Sequence, residues 1–111
     1  MPDEVRRYQV VIQPPVEEEI DAIVEFHSKT SSGENARRFM IGMLDAIASL
    51  EEMPKRYPVI PETVMLDCEL RHLRYAGYRV IYWIDGALVR IVHIRHGSRR
   101  ALRRGDIDWD V

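Results

Sequence analysis

Apolar and polar residues alternate with one period at the two ends of the chain and another in the middle. From Arg6 to Gln13, Tyr8, Val10 and Ile12 alternate with Arg7, Gln9 and Val11, which predicts a strand. Pro14-Pro15 stops it, and Pro15 can open a helix, because a helix start tolerates a missing N–H. Val16, Ile20, Ile23, Val24 and His27 then recur at helical spacing, with Glu17, Glu18, Glu19, Asp21 and Glu25 mostly opposite. After Thr30-Ser31-Ser32-Gly33, a capping box of Ser31 and Glu34 predicts a second helix. Its stripe is Ala36, Phe39, Met40, Met43, Leu44, Ile47 and Leu50, and Pro54 ends it near Met53. Residues 54–69 hold Pro54, Pro58 and Pro61 and read as an ordered connection with a short extra strand.

The remainder predicts three strands, Leu70–Tyr75, Tyr78–Ile84 and Leu88–His96, separated by Ala76-Gly77 and Asp85-Gly86. The order is β-α-α-β-β-β. This is an α+β fold, with the first strand and a helical hairpin packed on one face of a mostly antiparallel sheet. Two-residue turns fix a register. Tyr75 then opposes Tyr78, Leu73 opposes Val80, Tyr82 opposes Val89 and Val80 opposes Ile91. One face collects Leu73, Tyr75, Tyr78, Val80, Tyr82, Ile84, Val89 and Ile91, and this face is expected to meet the helices. The other collects His72, Arg74, Arg79, Arg90 and His96, with Ile81, Trp83, Val92 and Ile94 between them, and is expected to face outward. Arg95 falls at the rim of the helix side by this count.

Composition narrows the setting. The 111 residues are 46% hydrophobic and 31% charged, the balance of one globular domain, 1–111, with a peripheral tail at 101–111. No apolar run is long enough to span a membrane, and Met1-Pro2-Asp3-Glu4 does not open a secretory leader. The single Cys68 allows no internal disulfide and fits a reducing cytoplasm. The histidines lack metal-ligand spacing, and there is no phosphate-binding Gly-rich loop, so neither a metal nor a cofactor is expected. The net charge of −2 conceals an asymmetry. Residues 1–67 carry 7 basic and 13 acidic side chains, whereas residues 68–111 carry 9 and 5, and those nine are all arginines. Charge of this kind on the outer sheet face suits an anionic partner, and Trp83 could stack on it.

Two segments carry a family resemblance. Leu73-Arg74-Tyr75-Ala76-Gly77-Tyr78-Arg79-Val80-Ile81-Tyr82 and Ile91-Val92-His93-Ile94-Arg95-His96-Gly97-Ser98-Arg99-Arg100 resemble the RelE/ParE superfamily of toxins from type II toxin–antitoxin modules. The resemblance covers roughly residues 5–100. It implies a growth-inhibiting cytoplasmic protein, neutralised in a hetero-oligomer by a cognate antitoxin, in modules that stabilise plasmids or act under stress. One branch of the superfamily cleaves messenger RNA on the ribosome without metal, and the other poisons DNA gyrase. For the ribonuclease branch the resemblance implies that Arg79 contacts the scissile phosphate, and Arg99 matches a second catalytic-set arginine just after the last strand. His72 stands where that branch has a lysine, and His96 would act as acid or base. Leu70 replaces a second lysine, and the C-terminal tyrosine is missing from Ala101-Leu102-Arg103-Arg104-Gly105. The His96-Gly97-Ser98-Arg99 ending is more similar to the ParE branch. A gyrase inhibitor is therefore the favoured expectation and an endoribonuclease the alternative. The expected binding residues are Arg74, Arg79, Trp83, Arg90, His96 and Arg99.

Overall fold

The computed structural model describes residues 7–66 and 68–107. The expected start of the first strand at Arg6, the opening Met1–Glu4 and the last four residues lie outside them. Strand β1 (Gln9–Ile12) leads directly into helix α1 (Pro14–Thr30), whose first two positions are the prolines. Helix α2 (Gly33–Ala48) follows after two residues. Its cap is one residue later than the sequence suggests. Ser32 Oγ accepts the Asn35 N–H at 3.0 Å, Ser31 Oγ binds the Asn35 side chain, and Glu34 pairs instead with Arg38. A 3-10 turn at Ser49–Glu51 ends the hairpin, and Met53 reverses the chain in a left-handed conformation (φ 51°) ahead of Pro54.

The sheet holds β1 and the strands β2 (Arg71–Tyr75), β3 (Tyr78–Asp85) and β4 (Leu88–His96), in the order β1-β4-β3-β2. β1 lies parallel to β4, and the other neighbours are antiparallel. The α+β order read from the sequence is the observed one. The extra strand expected in the connection is reduced to a bridge from Val59 to Arg71.

The β2–β3 register is as expected, with Tyr75 opposite Tyr78 and Leu73 opposite Val80. The β3–β4 register differs twice. The tight loop is Gly86-Ala87, with Asp85 opposite Leu88, so Tyr82 faces Ile91 and not Val89. A bulge beside Ile81 and Tyr82 then inserts a residue into β4, which places Ile81 opposite His93 and Val80 opposite Ile94. A one-residue insertion exchanges the faces beyond it. Ile94 and His96 therefore lie on the helix side, and Arg95 lies on the far side opposite Arg79, the reverse of expectation for all three.

Both faces of the sheet are covered. On the helix side, Val16, Ile20, Phe39, Met43, Ile47 and Leu50 pack on Leu73, Val80, Tyr82, Val89, Ile91 and Ile94. On the other, Ile81 and Val92 are buried under Ile60, Leu66, Leu70, Leu102 and Ile107, with Trp83 and Cys68 at the margin. The cover is made by a one-turn helix α3 (Thr63–Leu66), its flanks and the segment after β4. The open outer face expected from sequence is corrected here, and within the tail expected to be peripheral Leu102 and Ile107 are buried. Ile81 and Val92 between the arginines are apolar surface that needs burial, and Leu102 and Ile107 supply it.

Candidate functional site

The arginines of the far face form a row. Arg74, Arg79 and Arg95 stand opposite one another on β2, β3 and β4. Neighbouring strands are about 4.8 Å apart, so like charges in register repel unless they are compensated. The three are compensated unequally. Arg79 is 8% exposed and makes a bidentate pair with Glu62, with Nη1 and Nη2 donating to its two carboxylate oxygens at 2.9 and 3.0 Å. Its Nε donates to His72 Nδ1 at 2.9 Å. His72 must be neutral to accept that bond. Burial lowers its pKa from the ordinary histidine value, and the nearby Arg79 and Arg74 charges lower it further.

Glu62 also accepts the Leu102 N–H at 3.2 Å, so one carboxylate ties β3, the segment before α3 and the chain after β4 together. The Arg79 hydrogen bonds hold its pKa at about 2, against the opposing effect of its burial. Arg95, 3% exposed, donates from Nε to the Arg100 carbonyl and lies 3.5 Å from Asp106. Its Nη2 is buried without a hydrogen-bond partner. Asp106 takes a bidentate pair from Arg100 at 2.8 and 3.0 Å and the Arg103 N–H at 2.8 Å, which depress its pKa strongly. Arg74, at the sheet edge, is exposed and has no carboxylate within 4.0 Å among the described residues.

The remaining expected site residues are dispersed. Arg90 pairs with Asp85 at 2.8 Å beside the β3–β4 loop, at the far end of the sheet from Arg74. Trp83 packs against the far-side core and is half-buried. His96 lies edge-on to Tyr78, with ring centroids 5.1 Å apart, and continues a line of rings through Phe39 to His27. The Ser98 N–H donates to His96 Nδ1 at 3.1 Å, and the Ser98 hydroxyl lies 2.6 Å from the same nitrogen. Arg99 is exposed after a turn closed by its own N–H to the His96 carbonyl. The structure thus brings Arg79 and His72 together with Arg79 buried and His72 half-buried, and leaves Arg74, His96 and Arg99 exposed.

Sequence reading missed Glu62, Asp106, Arg95 and Arg100. The available signal was the carboxylate count, because several inward arginines on one sheet require acids from outside it. No cluster of three or more His, Cys, Asp or Glu able to hold a metal occurs among the described residues. Burial raises the Cys68 thiol pKa, which disfavours its nucleophilic thiolate. No helix among the described residues is long and apolar enough to cross a membrane.

The family comparison covers the sheet and the helical hairpin together. The model described as "ParE toxin of type II toxin-antitoxin system, parDE" matches residues 10–101. The chain belongs to the ParE toxin family. The match runs from β1 to the residue after Arg100, so Leu102 and Ile107, which complete the far-side core, lie beyond it. A solved structure titled "Chromosomal ParDE TA system from P. aeruginosa" has the same fold, with a TM-score of 0.69 at 14% identity. The alignment covers 82% of this ParE-family chain and 97% of that one. No curated protein matches the sequence.

Proposed function

We propose that the protein is the toxin of a type II toxin–antitoxin pair and arrests growth by poisoning DNA gyrase, without catalysing a reaction itself. The observation that carries this reading is the Arg79–Glu62 pair. Ribonuclease action of the RelE kind needs a guanidinium free to hold the pentavalent phosphate and a base beside it. Here the matching arginine already donates three hydrogen bonds, to Glu62 and to a neutral His72. Leu70, at a lysine position of that branch, is fully buried. Membership of the ParE family supports the gyrase branch. The partner is a cognate antitoxin that holds the toxin in an inactive complex, and the site of action is the cytoplasm, where gyrase and DNA are found.

The test is induction of the chain with and without its antitoxin. The expected result is filamentous, non-dividing cells with gyrase-linked DNA breaks and intact message, all reversed by the antitoxin. Codon-positioned cuts in ribosome-bound message, seen by primer extension, would reverse the assignment in favour of the endoribonuclease. Normal growth with soluble, folded protein would remove both.

A further inference from the structure

The arginine row is incompletely neutralised at one end. Arg74, Arg79, Arg95, Arg99 and Arg100 bring five guanidinium groups to the region where β2–β3 and β4 end, and among the described residues the acids that pair with any of them are Glu62 and Asp106. Both acids are spent on Arg79, Arg95 and Arg100. Arg74 and Arg99 have no carboxylate within 4.0 Å among the described residues. Cations crowd the buried Arg95: its burial disfavours the charged form first, and the charges of Arg100, Arg99 and Arg79 oppose it further. The protein body behind this end is low-dielectric, so the surplus field emerges through Arg74 and Arg99, which are exposed and lack a described carboxylate partner.

The backbone at this end is bare. Gly97 N–H donates to the Gly77 carbonyl at 2.8 Å and stitches the β2–β3 turn to the segment after β4. A Cβ at Gly97 would lie 3.1 Å from that carbonyl and 3.5 Å from Arg74 Nη1, so the guanidinium rests over main chain with no side chain between. The main chain of Arg99 is held two residues further on by the turn from its N–H to the His96 carbonyl. Ala76, Gly77, Gly97, Ser98 and Arg100 around them are exposed. Among the described residues the exposed large apolar side chains, Phe26, Ile41, Leu44, Met53, Val59 and Val64, belong to the helices and the connection and not to these strand ends. A protein partner generally buries apolar anchors at the centre of its contact. A nucleic-acid backbone needs only fixed cations and accessible main chain, and arginine suits phosphate through paired N–H donors.

We propose that Arg74 and Arg99, over the Gly77–Gly97 junction, bind phosphates of a nucleic-acid backbone. The toxin thereby contacts nucleic acid directly. The inference rests on charge and geometry and not on gyrase, so it can fail while the gyrase reading stands, and the reverse.

The experiment is anisotropy of a short fluorescent DNA duplex titrated with the purified full chain over a series of salt concentrations. The expected result is salt-sensitive binding. In Arg74→Gln/Arg99→Gln it should weaken on the order of tenfold or more, and the slope of log affinity against log salt should fall by about two, one per lost phosphate contact. Arg38→Gln, an exposed helix arginine paired with Glu34, should bind as the parent does. Thermal unfolding of each variant verifies that the fold is kept. Absence of binding by the parent at low salt, or unchanged binding by the double variant, overturns the proposal. Displacement of the duplex by polyglutamate at equal charge concentration also overturns it, in favour of an acidic protein partner.

Discussion

Arg79 Nη1 and Nη2 lie 2.9 and 3.0 Å from the two carboxylate oxygens of Glu62, seventeen residues earlier in the chain, and both side chains are almost fully buried. A buried pair of this geometry contributes little net stability against an apolar replacement, yet loss of one partner strands the other charge. Glu62→Ala is therefore expected to destabilise by about 3–5 kcal/mol, the range for breaking a buried pair by removing one partner. Urea denaturation followed by far-UV circular dichroism measures it. A loss below about 1 kcal/mol, the ceiling for a solvent-exposed pair, would show that the pair is solvated in solution.

The same pair sets an acid limit. The folded-state pKa of Glu62 is lowered from 4.5 to about 2. A carboxylate with a depressed folded pKa contributes stability that is fully present above its unfolded value and is lost as pH falls through its folded value. Stability of the parent should therefore decline from about pH 4.5 towards pH 2. Glu62→Gln keeps the shape and lacks the titrating group, so it should be less stable at neutral pH and show a shallower decline. Equal slopes in the two proteins would place the acid sensitivity elsewhere.

Leu102 and Ile107 test the second core. Each is buried against Ile81 and Val92, although charged and polar residues surround them in sequence. Leu102→Ala removes a buried leucine at a position the Glu62 carboxylate also holds through main chain. A loss of about 2–4 kcal/mol in chemical denaturation is expected from the transfer and cavity contributions. A change within about 0.5 kcal/mol, as at an ordinary surface site, would restore a peripheral tail.

The sequence made the helices and the β2–β3 hairpin legible because each carries its own period over many residues. Val16, Ile20 and Ile23 share one helical face, and Leu73 and Val80 share one sheet face across a two-residue turn. The β4 bulge was harder, because period-2 reading assumes an unbroken ladder. The adjacent Ile91 and Val92, buried on opposite faces and followed by Ile94, mark the change of phase. That single inserted residue moved His96 away from the arginines and brought Arg95 to them. The site was less legible than the fold for a related reason. Whether an arginine is free depends on acids distant in sequence, and nothing local to Arg79 indicates Glu62. The apolar Ile81 and Trp83 between the cations were the available sign that this face is covered.

Gly42 of α2 and Tyr75 of β2 approach closely between helix and sheet. A Cβ at Gly42 would lie 1.8 Å from Tyr75 Oη and 2.6 Å from Cζ. The ring is held in place by Phe39, 5.7 Å between centroids, so it cannot yield without disturbing the aromatic line towards Tyr78. Alanine normally favours a helix interior over glycine by about 1 kcal/mol. Gly42→Ala should nevertheless destabilise, by about 1–3 kcal/mol, because overpacking outweighs propensity. In the Tyr75→Ala background the same substitution should become neutral or stabilising. Equal effects in both backgrounds, measured as a double-mutant cycle, would mean the two residues do not touch.

Glu19 and Ile94 make the last case, because β1 is shorter than the strand it accompanies. β1 pairs with β4 only as far as Ile91, and Gln13 N–H closes the pairing on the Ile91 carbonyl. Past that point no strand among the described residues pairs with the β4 edge, and unpaired edges recruit other chains. From α1, Glu19 Oε1 accepts the Ile94 N–H at 2.9 Å and Oε2 meets His93 Nδ1 at 2.9 Å. One helix carboxylate thus stands in for the missing strand. Glu19→Ala should leave α1 intact, since alanine favours helix, but should free the Ile94 amide. Hydrogen exchange at Ile94 should accelerate by on the order of tenfold, the equivalent of one charge-assisted bond of about 1.5 kcal/mol. Exchange at Val89, within the β1-paired part, should not change. Equal acceleration at both amides would indicate global loosening and would remove Glu19 as the edge cap.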